Sequence, residues 1–201
     1  MTPRPRSFDE GTALGRAKDI FWQMGFEATS MQNLVDHMQI GRQSLYNTFG
    51  DKHTLFLRAL KMYEETSHKE ALGRLSDAGA GLAEIEEFLS GIVAGLSNQE
   101  DRRACFLINA VLELAPRDEE VRAIGVTFRQ QLTQAFDKAL IRARLRGEIP
   151  TSIDPGQYAK LLAHTAMGMS VTWKAGGSPE DLAEIVEAAI LPLRFHASLT
   201  N

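Results

Sequence analysis

The sequence predicts an all-α fold, and three observations carry that prediction. Apolar residues recur at spacings of three and four, with no sustained alternation that would mark strands. No proline lies between Pro5 and Pro116, so that stretch can be helical throughout, broken only by glycines. No Asn-Gly or Asp-Gly pair offers a hairpin turn. With 201 residues, 44% apolar and 24% charged, the composition is that of a globular chain rather than a disordered or fibrous one.

The elements follow in order. Leu14, Ala17, Ile20, Phe21 and Met24 form one apolar stripe, and Gly25 ends it as a C-cap. Thr29-Ser30 caps a short helix over Met31–Met38, with Gln32 or Asn33 near the third position. A second short helix covers about Gln43–Phe49. Gly50 breaks it, and Asp51 caps a long helix from Lys52 to about Arg74. After the loop Ser76–Gly81, helices are expected at about Leu82–Leu96, Arg103–Leu114, Asp118–Arg146, Pro155–Lys174 and Pro179–Phe195. Pro155 and Pro179 suit the first helical position after Asp154 and Ser178 caps. This makes about nine helices.

Within that frame Met31–Met38 and Gln43–Phe49, joined by a turn near Met38–Gly41, have helix-turn-helix proportions. Leu34, Met38, Ile40, Leu45 and Phe49 can meet in a small core with helix one. Arg42, Gln43, Ser44, Tyr46, Asn47 and Thr48 are then left outward, hydrogen-bonding residues suited to base edges and phosphates. Lys52 opens a helix, where the dipole disfavours a cation by a few tenths of a kcal/mol, roughly. A bound phosphate would reverse that preference.

The segment resembles the DNA-binding domain of TetR/AcrR-type transcriptional regulators. The matching residues are Gly25-Phe26, Ala28-Thr29-Ser30, Leu45-Tyr46-x-x-Phe49 and Asp51-Lys52-x-x-Leu55, and the motif spans about residues 8–60. The resemblance implies that Tyr46 touches the phosphate backbone and that Gln43, Ser44 and Asn47 face bases or adjacent phosphates. It implies that Lys52, and Thr29 or Ser30, hold phosphates, and that Arg4 and Arg6 belong to an N-terminal arm used on DNA. Two residues depart from the family's pattern. Gln39 stands where the turn usually has Gly, so it must take a positive φ unless Gly41 absorbs the turn. Gly41 also replaces the usual Ser cap of the second helix.

The expected organisation is a three-helix DNA-binding domain over 1–60 and a larger ligand-binding and dimerisation domain over 61–201. In the resembled family the last two helices pair with their copies in a homodimer. Here that implicates Leu161, Thr165, Met169 and Trp173 on one helix and Leu182, Ile185, Ala189 and Leu193 on the other. Cys105, Phe106, Asn109, Phe128 and Met167 are the pocket candidates, with Phe88 and Met62 beside them. Cys105, Asn109 and Glu113 share one helical face. Cys105, in a first helical turn after Arg102 and Arg103, has the setting that lowers a thiol pKa, which would suit a sensor of electrophiles.

No catalytic or metal constellation is present: the five histidines lack HxxxH spacing, and there is no phosphate-binding Gly loop or GxSxG. No cofactor and no enzyme activity are expected. The single cysteine rules out an internal disulfide and fits a cytoplasmic setting, and no apolar stretch is long enough to span a membrane. The expected function is a ligand-responsive regulator, most simply a repressor, whose partners are a palindromic double-stranded DNA operator, a small-molecule inducer with electrophiles among the candidates, and a second copy of the chain. The long helix from Lys52 is the expected lever between pocket and DNA. The alternatives are a helical interaction module without DNA binding and an enzyme on a helical scaffold.

The net charge of −4 argues against nucleic acid only when averaged. Residues 1–60 hold seven Lys and Arg against six Asp and Glu, whereas residues 61–201 hold fifteen against twenty. A slightly basic head on an acidic body would orient the molecule head-first toward DNA.

Overall fold

The computed structural model describes residues 8–99 and 101–194, without the side chains at 68, 70 and 71. All secondary structure among the described residues is helical. The helices are α1 Glu10–Met24, α2 Met31–Met38, α3 Arg42–Phe49, α4 Lys52–Tyr63, α5 Lys69–Ser76, α6 Leu82–Ser97, α7 Phe106–Leu114, α8 Glu119–Leu145, α9 Pro155–Lys174 and α10 Pro179–Arg194. A π-helical segment, Glu64–His68, joins α4 to α5 without a break in helical backbone, so the expected long rod is present as α4 and α5 together.

The caps explain the boundaries. Asp9, Asp51, Asp118 and Asp154 each accept a backbone N–H three residues on, from Thr12, Thr54, Val121 and Gln157. Ser30 and Asn33 form a reciprocal capping box at α2, Ser30 Oγ accepting from Asn33 N at 3.0 Å and Asn33 Oδ1 from Ser30 N at 2.9 Å. Gln39 takes the left-handed turn itself, at φ 57° and ψ 40°, while Gly41 is extended at φ −65°. Gly41 has no side chain to cap with, so α3 begins without a side-chain cap.

One boundary differs from expectation. α7 begins at Phe106, not Arg103, and Cys105 is its N-cap. Arg102 and Ala104 sit at φ 50° and 58°, which no helix accommodates. Arg-Arg-Ala reads as helix-forming, but Arg102 Nη1 donates to Trp173 O and Gly177 O, both at 2.8 Å. Those tertiary bonds override the local preference.

α1 packs on α2 and α4, α8 on α5, α7 and α9, and α10 on α6 and α9. One buried apolar cluster runs from Ala13 to Leu193. Its link between the N-terminal helices and the rest is aromatic. The Phe56 ring stands edge-on to Phe21 at 5.1 Å, to Phe26 at 5.0 Å and to Phe106 of α7 at 5.7 Å.

Candidate nucleic-acid interface

α3 is pinned by its apolar side. Leu45 and Phe49 are fully buried, and the Arg58 guanidinium lies 4.8 Å from the Phe49 ring while donating to Thr48 O at 3.1 Å and pairing with Glu10. The opposite face is open: Arg42, Gln43, Tyr46 and Asn47 are exposed, Ser44 and Thr48 half-buried. Tyr46, an aromatic, is 44% exposed on a helix whose other large side chains are inside. An exposed hydroxyl-bearing ring in that position suits contact with a phosphate backbone.

Lys52 sits where α4 begins. Its ammonium lies 4.3 Å from the Phe26 ring and 3.5 Å from Glu27 O, so the α1–α2 loop steers it. The Asp51 carboxyl beside it is held below the ordinary carboxylate range by the Thr54 N–H. Ser30, also exposed, opens α2 just beyond that loop.

Thr29 is a correction. It is fully buried and its hydroxyl donates to Gly25 O at 2.6 Å, so it closes the end of α1 and offers nothing to a phosphate. Arg4 and Arg6 lie outside the described residues.

Sequence reasoning missed the residue that fixes this loop. Glu113, at the end of α7, accepts the N–H groups of Phe26 at 3.0 Å and Glu27 at 2.8 Å. Gly25 (φ 82°) is glycine for two reasons, because a Cβ there would also lie 2.8 Å from Glu113 Oε2. An ion pair and a hydrogen bond flank these bonds, Arg117–Glu27 at 2.7 Å and His53 Nε2 with Asp118 Oδ2 at 2.7 Å. The only signal in the sequence was that Glu113 shares a helical face with Cys105 and Asn109.

His53, Asp118 and Glu120 bring three potential metal-ligand atoms within 4.8 Å of one another. The two ring nitrogens face different carboxylates, Nε2 toward Asp118 and Nδ1 toward Glu120 at 3.8 Å. Asp118 also caps α8 through Val121 N. Nε2 is thereby engaged by Asp118, whose carboxylate is shared with the α8 cap.

Behind α7 lies a cavity of about 450 Å³, of a size for a small organic molecule. Cys105, Phe128, Met167 and Phe88 line it, together with Tyr63, Gln99, Ile108 and Ser170. Phe106, Asn109 and Met62 do not. Phe106 is buried against Phe56 and Tyr63, and the Asn109 amide donates to Arg103 O at 2.6 Å, tying down the loop before α7. The expected low thiol pKa of Cys105 is reversed. Burial pushes it up, outweighing the hydrogen bonds it receives from the Ile108 backbone and the Tyr63 hydroxyl. The two arginines face elsewhere, Arg102 onto the Trp173 ring at 4.3 Å and Arg103 onto Asp101 and the Trp22 ring.

On α9 and α10 the expected interface residues divide. Met169, Trp173, Leu182, Ala189 and Leu193 are buried within the subunit and cannot face a second copy. Leu161 is 50% exposed, and Thr165 and Ile185 are half-buried. The exposed apolar residues also include Val171 and Leu191, with the small Gly168 and Ala188. The stripe on α9 is thus Leu161, Thr165, Gly168 and Val171, on the side away from the core.

Among the described residues no helix is long and apolar enough to cross a membrane. A family model for bacterial regulatory proteins of the tetR family matches residues 13–59, and one for a tetracyclin repressor-like C-terminal domain matches residues 81–189. The chain is 32% identical over 188 residues to YezE, an uncharacterized HTH-type transcriptional regulator of Bacillus subtilis, covering 93% of this chain and 97% of the relative. It is 27% identical over 183 residues to the HTH-type transcriptional repressor ComR of Escherichia coli, covering 90% and 87%. A solved structure of the TetR family transcriptional regulator CifR, a cysteine mutant complexed with 26-bp double-strand operator DNA, superposes with a TM-score of 0.83 at 32% identity, over 94% of this chain and 99% of that one. The two family models fall on the helix-turn-helix and on the helices that enclose the cavity, and so the chain belongs to the TetR family of transcriptional regulators, which are DNA-binding proteins and not enzymes.

Proposed function

We propose that the protein is a homodimeric repressor that leaves a roughly palindromic operator when a small molecule fills the cavity behind α7. The observation that carries this reading is the open face of α3, rigidly backed by Leu45 and Phe49 and next in sequence to the loop-steered Lys52. Residues 1–60 are the reading head, and 61–201 the regulatory body. Arg42, Gln43 and Asn47 read base edges, with Ser44 and Thr48 at the margin of the groove. Tyr46, Lys52 and Ser30 hold phosphates, and Arg4 and Arg6 extend the contact as an arm. The resemblance to CifR, solved on operator DNA, supports DNA binding by this chain.

Two heads must be spaced one DNA turn or more apart, which a second copy across α9 and α10 provides. The exposed Leu161, Val171 and Leu191, with Thr165 and Ile185, supply the contact. Cys105, Phe128 and Met167 line the inducer site. The Cys105 thiol in that wall favours an electrophilic inducer as a second reading, tested by mass spectrometry of protein exposed to a mild electrophile. A cytoplasmic location follows from the function proposed.

The experiment is selection of duplexes from a random pool, followed by titration of the recovered duplex across salt concentrations. The expected result is a half-site repeat and a logarithmic salt slope near −0.9 per phosphate contacted, roughly. Tyr46→Ala and Lys52→Ala should each weaken binding and lower that slope. Recovery of no sequence, or weak binding that salt and both variants leave unchanged, would overturn the proposal in favour of a helical interaction module.

A further inference from the structure

Ala104 joins the cavity to the head by hydrogen bonds on both sides. It lines the cavity, is 1% exposed, and holds a left-handed φ of 58°. Its N–H donates to Oε1 of Gln99, another cavity-wall residue, at 2.7 Å. Its carbonyl accepts the indole N–H of Trp22, on α1 of the head, at 2.9 Å. The Trp22 ring is flanked by the Arg103 guanidinium at 4.8 Å and by the Tyr63 ring, edge-on with its centroid at 5.0 Å.

We infer that Gln99, Ala104 and Trp22 form the relay by which the contents of the cavity set the position of the DNA-reading head. The inference rests on the cavity being the inducer site proposed above. A non-glycine residue stays left-handed only while its surroundings hold it there. Here the holding bonds are those from Gln99 on one side and Trp22 on the other, with Arg102, itself at φ 50°, anchored to the end of α9. A molecule that claims the Gln99 amide removes the partner of Ala104 N–H. Relaxation of Ala104 to negative φ then turns its carbonyl away from Trp22, and the C-terminal half of α1 loses that polar tie to the body while its ring contacts with Tyr63 and Phe106 remain. α1 packs on α2 and α4, so the change reaches the elements bearing Ser30 and Lys52. This route runs through α1, in addition to the α4 lever expected from the sequence.

Trp22 and Gln99 are positioning residues, and the readout is therefore a ratio. N-Ethylmaleimide is the probe, because Cys105 is the only cysteine and lines the cavity next to Ala104. The thiolate adds to the maleimide double bond, forming a thioether, and a solvent proton goes to the neighbouring carbon. Full-length protein is modified at alkaline pH, stoichiometry is checked by mass spectrometry, and affinity for the selected duplex is measured with and without modification. Modification should weaken wild-type binding about tenfold or more, within the usual span of allosteric coupling. In Trp22→Phe, which keeps the ring and loses the donor, the ratio should fall below about threefold. An equal ratio in wild type and Trp22→Phe, or no effect of modification on wild type, would overturn the relay while leaving the DNA-binding function intact. Failure to recover any duplex would instead overturn that function. Should Trp22→Phe fail to fold by circular dichroism, Gln99→Met severs the relay from the cavity side and carries the same comparison.

Discussion

Replacing Glu113 should loosen the head from the body without touching either core. The carboxylate is half-buried and accepts two backbone N–H groups, from Phe26 and Glu27, at 3.0 and 2.8 Å. Hydrogen bonds to a charged acceptor contribute about 1.5–3 kcal/mol each when well shielded. One of these is partly exposed and its donor can rehydrate, so about half that range applies to it. Glu113→Gln retains one acceptor oxygen but sets an NH2 group against the second N–H, donor facing donor. A loss of about 1–2 kcal/mol is expected from that substitution, and about 2–3 kcal/mol from Glu113→Ala. A double-mutant cycle isolates the contact. Gly25→Ala is costly in wild type because its Cβ would lie 2.8 Å from Glu113 Oε2 on top of its strained φ, whereas in Glu113→Ala only the strain remains. The coupling should be about 1 kcal/mol in the sense that the double variant is less damaged than the sum. Urea unfolding at fixed protein concentration, followed by circular dichroism, measures all four proteins. Equal stability of Glu113→Gln and wild type, or strict additivity in the cycle, would refute the reasoning.

Gln39→Gly should stabilise the protein by about 0.5–1 kcal/mol, because it removes the Cβ from a left-handed turn at the cost of some unfolded-chain entropy; a thermal melt of the single variant checks it. Acid should destabilise the fold through the helix caps. The carboxyls of Asp9, Asp51, Glu84 and Asp118 are held below their ordinary values, so their contribution is complete above the unfolded range near pH 4 and is lost as pH falls through the lower folded values. For Asp118, burial pushes the value up, and bonds from Val121 N–H and His53 outweigh it, so Asp118→Asn should flatten part of the acid limb of a pH–stability profile. Cys105 should react with iodoacetamide more slowly at neutral pH than a free thiol, with a rate that climbs as pH rises past the ordinary thiol value, because burial raises its pKa.

The features legible in the sequence are those with local causes. Asp51 at the start of α4, the Ser30–Asn33 box and the prolines opening α9 and α10 each act within a few residues, and each lies where the spacing predicts. The outward face of α3 was legible because only one arrangement buries Leu45 and Phe49 together. What spacing could not supply is which of two apolar faces turns inward. α9 carries apolar residues on both sides, and the large Met169 and Trp173 go to the core while Leu161 and Val171 stay out. Thr29 and Asn109 read as polar groups seeking a ligand, yet each is satisfied by a nearby carbonyl, Gly25 O and Arg103 O. The start of α7 was illegible for a further reason. Arg102 and Ala104 are not residues that announce a left-handed backbone, and the bonds that hold them there come from Trp22, Trp173 and Gly177, far away in the chain.

The junction between head and body divides into an apolar pivot and polar ties, and the division suits a switch. Phe56 against Phe106 and Trp22 against Tyr63 bury aromatic surface whose separation would expose it to water, so the two parts stay attached. Around that pivot the ties are Glu113 to the α1–α2 loop, Asp118 to His53, Arg117 to Glu27, and Ala104 to Trp22. The exposed ion pair Arg117–Glu27 contributes only about 0–1 kcal/mol, and the partly exposed bonds exchange for water at modest cost. A ligand can shift an equilibrium only by its differential affinity for the two states, a few kcal/mol for a small molecule, roughly. Ties of this strength lie within that range, whereas an apolar junction throughout would not. The same ties give a small displacement a path to the proposed DNA-binding face. Glu113 fixes the N–H groups of Phe26 and Glu27, and the Phe26 ring and the Glu27 carbonyl hold the Lys52 ammonium. A shift of α7 therefore moves the proposed phosphate anchor through two contacts, with no change in α3, the helix proposed to read the bases.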